Sequence, residues 1–153
     1  MLRQKYFRSL NGIFGKIGTR SSTAVRPTLS LISSFCVPML TYGIEAFNVS
    51  LSMYNTIEAA YSAAFSKIFS TFDKNIIKQC QFYCSVSPLC NIIDVKRLHF
   101  LHGLSTSHNF SMRFLFDIKA KCELIELVKK HGLANANHPR WKHIIWNNFV
   151  HSL

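Results

Sequence analysis

The sequence predicts an all-α protein, an irregular bundle of about six to seven helices. Three observations carry that reading. Apolar residues recur every three or four positions through most of the 153 residues, the spacing that lines one face of a helix. No stretch sustains the apolar–polar alternation and hairpin turns of a β-sheet. Helix punctuation falls at the ends of the periodic runs, with Asp73 and Ser87-Pro88 at starts and Gly132 at a stop.

Taken in order, Leu2, Tyr6, Leu10, Ile13 and Ile17 share one face of an N-terminal helix. Gly12, Gly15 and Gly18 recur there at every third position, which matches no nucleotide-binding fingerprint and reads as a loosened helix end. Pro27 to Ile44 carries no charge over eighteen residues, close to the length that spans a bilayer. Its Thr28, Ser30, Ser33, Ser34 and Thr41, and the central Pro38, favour instead a buried helix pair broken at the proline. Leu51, Tyr54, Ile57, Tyr61, Phe65 and Ile68 define the clearest helix. After a break at Ser70 to Asp73, Asp73 caps a short helix through Ile76, Ile77 and Cys80.

Ser87-Pro88 opens a helix that turns Ile92, Ile93, Val95, Leu98 and Leu101 inward and Asp94, Lys96, Arg97 and His102 outward. Gly103 and the Ser105 to Asn109 stretch are expected to end it. A longer helix follows through Phe110, Phe114, Leu115, Ile118, Cys122, Ile125 and Val128. Lys129, Lys130 and His131 suit its negative C-terminal end, and Gly132 its stop. After a polar joint at residues 134–138, Pro139 opens a last helix with Trp141, Ile145 and Phe149 on its apolar side. Residues 1–132 are thus expected to form one helical region and 133–153 a short C-terminal helix.

Composition narrows the function. Hydrophobic residues make up 48% and charged residues only 16%, against about 25% charged in an average soluble domain. With 13 phenylalanines, such a chain is expected to expose apolar surface that packs against something else. Eighteen Lys and Arg stand against seven Asp and Glu, a net charge of +11 that favours an anionic partner. The surplus sits at the two ends. Arg3, Lys5, Arg8, Lys16, Arg20 and Arg26 precede the first acid, Glu45, and nine basic residues against three acids follow from Lys96 onward.

The scarce acids also exclude chemistry. No two of Asp73, Asp94 and Asp117 are neighbours, so no carboxylate cluster for two-metal phosphoryl transfer is visible. A phosphate-binding loop and a G-x-S-x-G elbow are both missing, and no enzyme is expected. Cys80, Cys84, Cys90, His99 and His102 are spaced like no compact zinc site. The five cysteines read as reduced thiols in apolar surroundings, and no cofactor or metal is expected.

Residues 1–27 are basic, acid-free and contain Ser9, Ser21 and Ser22, which is also the composition of a mitochondrial transit peptide. The first apolar run is short and interrupted by charge, so no cleavable secretory signal is visible. The expected location is intracellular, with nucleus or cytoplasm ahead of mitochondrion, and a membrane partner is not expected.

Two blocks carry a family resemblance. Arg8-Ser9-Leu10-Asn11-Gly12-Ile13-Phe14-Gly15-Lys16-Ile17-Gly18 is followed by Cys36-Val37-Pro38-Met39-Leu40-Thr41-Tyr42-Gly43-Ile44-Glu45-Ala46. Together they resemble the region just after the palm in reverse transcriptases of non-LTR (LINE-type) retrotransposons. The Leu51 to Phe69 helix with its Lys67-Ile68-Phe69 ending resembles the same region. So do Gln81-Phe82-Tyr83-Cys84, Pro88-Leu89 and Lys96-Arg97-Leu98-His99-Phe100-Leu101. The resemblance spans residues 1 to 116 and carries no catalytic group.

It implies a thumb and post-thumb connector, the helices that hold a template–primer duplex against the palm of an RNA-directed DNA polymerase. The palm with its paired aspartates, the fingers and any endonuclease are absent from this sequence. The resemblance therefore implies a non-catalytic fragment from the 3′ end of such a reading frame, with weak, sequence-independent affinity for RNA or DNA backbone. Thumb helices meet a duplex through phosphates. The candidate contacts are Arg3, Lys5, Arg8, Lys16, Arg20 and Arg26, with Lys96 and Arg97 as a second set. Among the N-terminal aromatics, Tyr6, Phe7 and Phe14 either stack on bases or, by default, pack into the core. The missing palm or another protein would cover a Phe-rich face. Two other classes stay open, an imported or membrane-associated helical protein and a purely structural protein-binding module.

Overall fold

The computed structural model describes residues 2–17, 24–133 and 138–153. Among the described residues the chain is helical with no strand, and seven continuous helical rods account for it. The expected all-α bundle is therefore the observed fold. None of its helices is long and apolar enough to cross a membrane among the described residues. Two compact units divide the chain, residues 1–89 and 90–153. The last helix contributes Trp141 and Ile145 to the core of the second unit.

In the first unit, α1 (Leu2–Ile17) buries Tyr6, Leu10 and Phe14 at i, i+4 and i+8. It runs through Gly12 and Gly15 without a break, and Gly18, the third of the series, lies outside the described residues. A second rod combines α2 (Val25–Leu31), a π-turn (Ile32–Cys36) and α3 (Val37–Leu40). The proline does not break it, contrary to expectation. An interior proline lacks an N–H and collides with the carbonyl four residues back. Here the Val37 N–H reaches five residues back to the Ile32 carbonyl, and this wider turn makes room ahead of Pro38. Thr41 then stops the helix, its N–H and Oγ1 both donating to the Val37 carbonyl at 3.1 and 3.0 Å. Gly43, at φ 70°, turns the chain so that Ile44 is buried.

The α1 helix packs on both α2 and α3 and on α4 (Leu51–Phe69). Ser50 caps α4 by accepting from the Met53 N–H at 3.2 Å. Its inward face is Ile57, Ala60, Tyr61, Ala64 and Phe65, with the Tyr61 and Phe65 rings edge to face at 4.9 Å. The buried Tyr61 donates its hydroxyl to the Ser87 carbonyl at 2.6 Å, which ties α4 to the end of the unit. Asp73 caps α5 (Lys74–Tyr83) as expected, accepting from the Asn75 N–H at 2.8 Å.

The second unit is built from α6 (Leu89–Ser105), a rod of α7 (Phe110–Leu115), a π-turn (Phe116–Ala120) and α8 (Lys121–His131), and α9 (Trp141–His151). Gly103 lies inside α6 rather than ending it; the break falls at residues 106–109, where Asn109 caps α7. Leu98, Leu133, Trp141 and Ile145 form the core, with Val95, Leu124, Leu127, Val128 and Ile144 packed against it. The stop at Gly132 is a Schellman motif. Gly132 adopts φ 65°, its N–H reaches the Lys129 carbonyl, and the Leu133 N–H reaches the Val128 carbonyl at 2.8 Å. Leu133 and Val128, brought together by that motif, both enter the core.

Charged groups of α6 that were expected to face outward are instead locked to α8. The Asp94 carboxylate accepts from Lys130 Nζ at 2.7 Å and lies 2.8 Å from His131 Nε2. Arg97 clamps Glu123 with two parallel hydrogen bonds, one of them Nη2 to Oε2 at 2.7 Å. Val95 and Leu98 of α6 share a core with Leu124, Leu127 and Val128 of α8, which sets Asp94 and Arg97 within reach of Lys130, His131 and Glu123.

Candidate nucleic-acid interface

The α1 helix presents two faces. Tyr6, Leu10 and Phe14 point into the unit, and Lys5, Arg8 and Lys16 are exposed on the opposite side. Lys5 and Lys16 are eleven residues apart, about 16 Å along a helix axis, or roughly five steps of a nucleic-acid strand. Gly12 and Gly15 lie on this same outer side, and a Cβ added to either would meet nothing within 4 Å. Bare helix backbone thus stands between the cationic side chains.

Arg3 is exposed but leaves that face. Its guanidinium stacks over the Phe7 ring, 5.5 Å from the centroid. It borders a surface cavity of about 590 Å³ together with Ser52, Asn55 and Thr56 of α4. The aromatics do not offer bases a stacking platform. Tyr6 and Phe14 are core residues, and Phe7 is half-buried beneath Arg3. Burial raises the ionisation of the Tyr6 phenol well above its ordinary value, with Cys36 adding to the shift.

A cation outside the expected contacts joins α1 from α4. Lys67 Nζ sits 4.6 Å above the Phe14 ring and donates to Asn11 Oδ1 at 3.4 Å. Only the packing of α4 on α1 brings it there, across 56 residues of sequence, so no local pattern could have shown it. Arg26 is exposed on α2 and opens onto a different cavity of about 370 Å³, lined by Ser30, Ser33 and the Tyr83 to Val86 turn. Nearby, burial pushes the Cys84 thiol up, Cys80 adds to this and Arg26 opposes it. Arg20 lies outside the described residues.

The second set of contacts, Lys96 and Arg97, belongs to the other unit. Lys96 is half-buried. Arg97 is 12% exposed and committed to Glu123, so it does not present a free guanidinium to a phosphate. Of the seven expected contacts among the described residues, Lys5, Arg8 and Lys16 share one exposed face. The cysteine and histidine set is not gathered into a site either. Cys80 and Cys84 are half-buried at the end of α5, whereas His99 and His102 lie against the Trp141 ring at 6.3 and 5.4 Å. Among the described residues no group of three or more His, Cys, Asp or Glu could hold a metal ion.

No family model matches the chain, no curated protein is similar to it, and no solved structure shares its fold at a significant level.

Proposed function

We propose that this chain is a non-catalytic helical module, of the kind found in the thumb of a non-LTR reverse transcriptase, that binds RNA or DNA backbone weakly and without reading sequence. One observation supports this above the rest. Lys5, Arg8 and Lys16 lie on an outward helix face in a segment with no acid before Glu45 to neutralise them. A rod with cations on one side and bare backbone at Gly12 and Gly15 can approach phosphates closely. Contacts made to phosphates along such a rod carry no sequence information, which is what sequence-independent binding requires.

The test is the salt dependence of binding. If Lys5, Arg8 and Lys16 each neutralise one phosphate, the log–log slope of affinity against salt on duplex DNA should be about −2.7 from this face alone. Fluorescence anisotropy with a labelled 20-base-pair duplex, from about 50 to 200 mM salt, measures it. The K5A/R8A/K16A triple variant should flatten the slope by about that amount. An unchanged slope in the triple variant, or no binding at low salt, would refute the assignment.

A further inference from the structure

We infer that the Phe110 to Ile125 side of the α7–α8 rod is a docking seam for an amphipathic helix with acidic flanks, supplied by another protein. This rod is apolar on two sides. One side, Ala120, Leu124, Leu127 and Val128, packs toward the core of the second unit. About half a turn away run Phe110, Phe114, Ile118 and Ile125, exposed by 80, 55, 66 and 44%. The Phe110 and Phe114 rings stack on each other at 6.2 Å.

Geometry makes this a seam rather than a scatter of apolar residues. In a regular α-helix, side chains at i, i+4, i+8 and i+12 drift about 40° per step around the axis. The π-turn at Phe116–Ala120 is wider and rotates the chain less per residue, which offsets the drift. Phe110, Phe114, Ile118 and the exposed Cys122 therefore stay in line, and Ile125 extends the line to about four turns, roughly 22 Å. A straight stripe of that length is what a partner helix packs along.

The flanking charges select the occupant. Arg113 and Lys121 border one edge, Lys119 the other, and Lys129 the far end, against Asp117 and Glu126. The net positive flank fits a helix carrying Glu beside its apolar stripe. A second copy would bring the same positive surplus against itself in a chain of net charge +11. An anionic bilayer would have to accept Asp117 and Glu126 beside the stripe.

The probe is a synthetic 28-residue heptad peptide with Leu at the a and d positions and Glu at e and g, whose own pairing is opposed by the glutamates. Anisotropy of the labelled peptide against the full chain should show binding. Ile118→Asp or Phe114→Asp should weaken it at least tenfold while the thermal midpoint and the salt slope on duplex DNA stay unchanged. A peptide with Lys at e and g should bind at least tenfold more weakly. Binding that survives both substitutions, or that ignores the sign of the peptide flanks, overturns the inference. So does an absence of peptide binding, and so does stripe-dependent dimerisation or cosedimentation with phosphatidylserine-containing vesicles without it, which would assign the seam to a second copy or to a bilayer.

Discussion

Replacing Glu123 by Gln keeps the shape of the side chain and removes the charge that Arg97 is clamped to. The Arg97 side chain is 12% exposed and that of Glu123 33%, so the pair is partly withdrawn from water on one side only. A charged hydrogen bond contributes about 1.5–3 kcal/mol, and breaking a fully buried pair costs about 3–5 kcal/mol. One-third exposure of the carboxylate places the cost of Glu123→Gln near the lower range, about 2 kcal/mol. For a unit of this size each kcal/mol moves the melting midpoint by about 4–8 °C, so the second unit should melt roughly 8–16 °C lower by circular dichroism or calorimetry. A melting midpoint within about 1 °C of the parent would refute the reasoning and leave the pair no measurable share of the second unit's stability.

Other consequences are open to measurement. The buried Tyr6 hydroxyl has no hydrogen-bond partner among the described residues. Tyr6→Phe should therefore stabilise the first unit by about 1 kcal/mol, read as a higher thermal midpoint, whereas destabilisation would reveal a partner for the hydroxyl. Burial raises both the Cys36 thiol above its ordinary 9.0 and the Tyr6 phenol above 10.0. Both groups lose their protons more readily in the unfolded chain. Their contribution is complete below pH 9 and declines as pH rises past those ordinary values, so thermal midpoints should fall between about pH 9 and 11. In Tyr6→Phe the upper part of that decline should disappear. Gly12→Ala meets no neighbour and should stabilise α1 by about 1 kcal/mol. If a phosphate approaches the bare backbone there, the same change weakens duplex binding at low salt; unaltered binding would place the contact elsewhere on α1.

Helices whose ends are set by local chemistry were legible in the sequence. Asp73 caps α5, Gly132 stops α8 in a left-handed turn, and the period of Ile57, Tyr61 and Phe65 identifies the buried side of α4. Pro38 and Gly103 misled for a shared reason. Each weakens a helix by a finite amount, and packing on both sides of it can exceed that amount. Leu101 is buried just before Gly103, and Cys36, Val37 and Leu40 surround Pro38. A π-turn adds only one residue to a rod, which leaves no composition signal before a proline.

The charges of the site were harder to read for a different reason. Sequence shows where a cation is, but its availability depends on what packing brings opposite it. Arg8 and Arg97 look alike along the chain, each beside a leucine two positions or one position later. Arg8 stays exposed because no acid precedes Glu45, a property visible in composition. Arg97 loses its freedom to Glu123, 26 residues away on a helix whose inward face was itself ambiguous. That ambiguity comes from α7–α8 being apolar on two sides: of the periodic set Phe110, Phe114, Leu115, Ile118, Cys122, Ile125 and Val128, only Val128 packs against the core, where Leu124 and Leu127 join it. Choosing the wrong side of one helix thus both freed Arg97 on paper and hid the seam, so the availability of Arg97 and the exposure of Ile118 follow from the same packing choice.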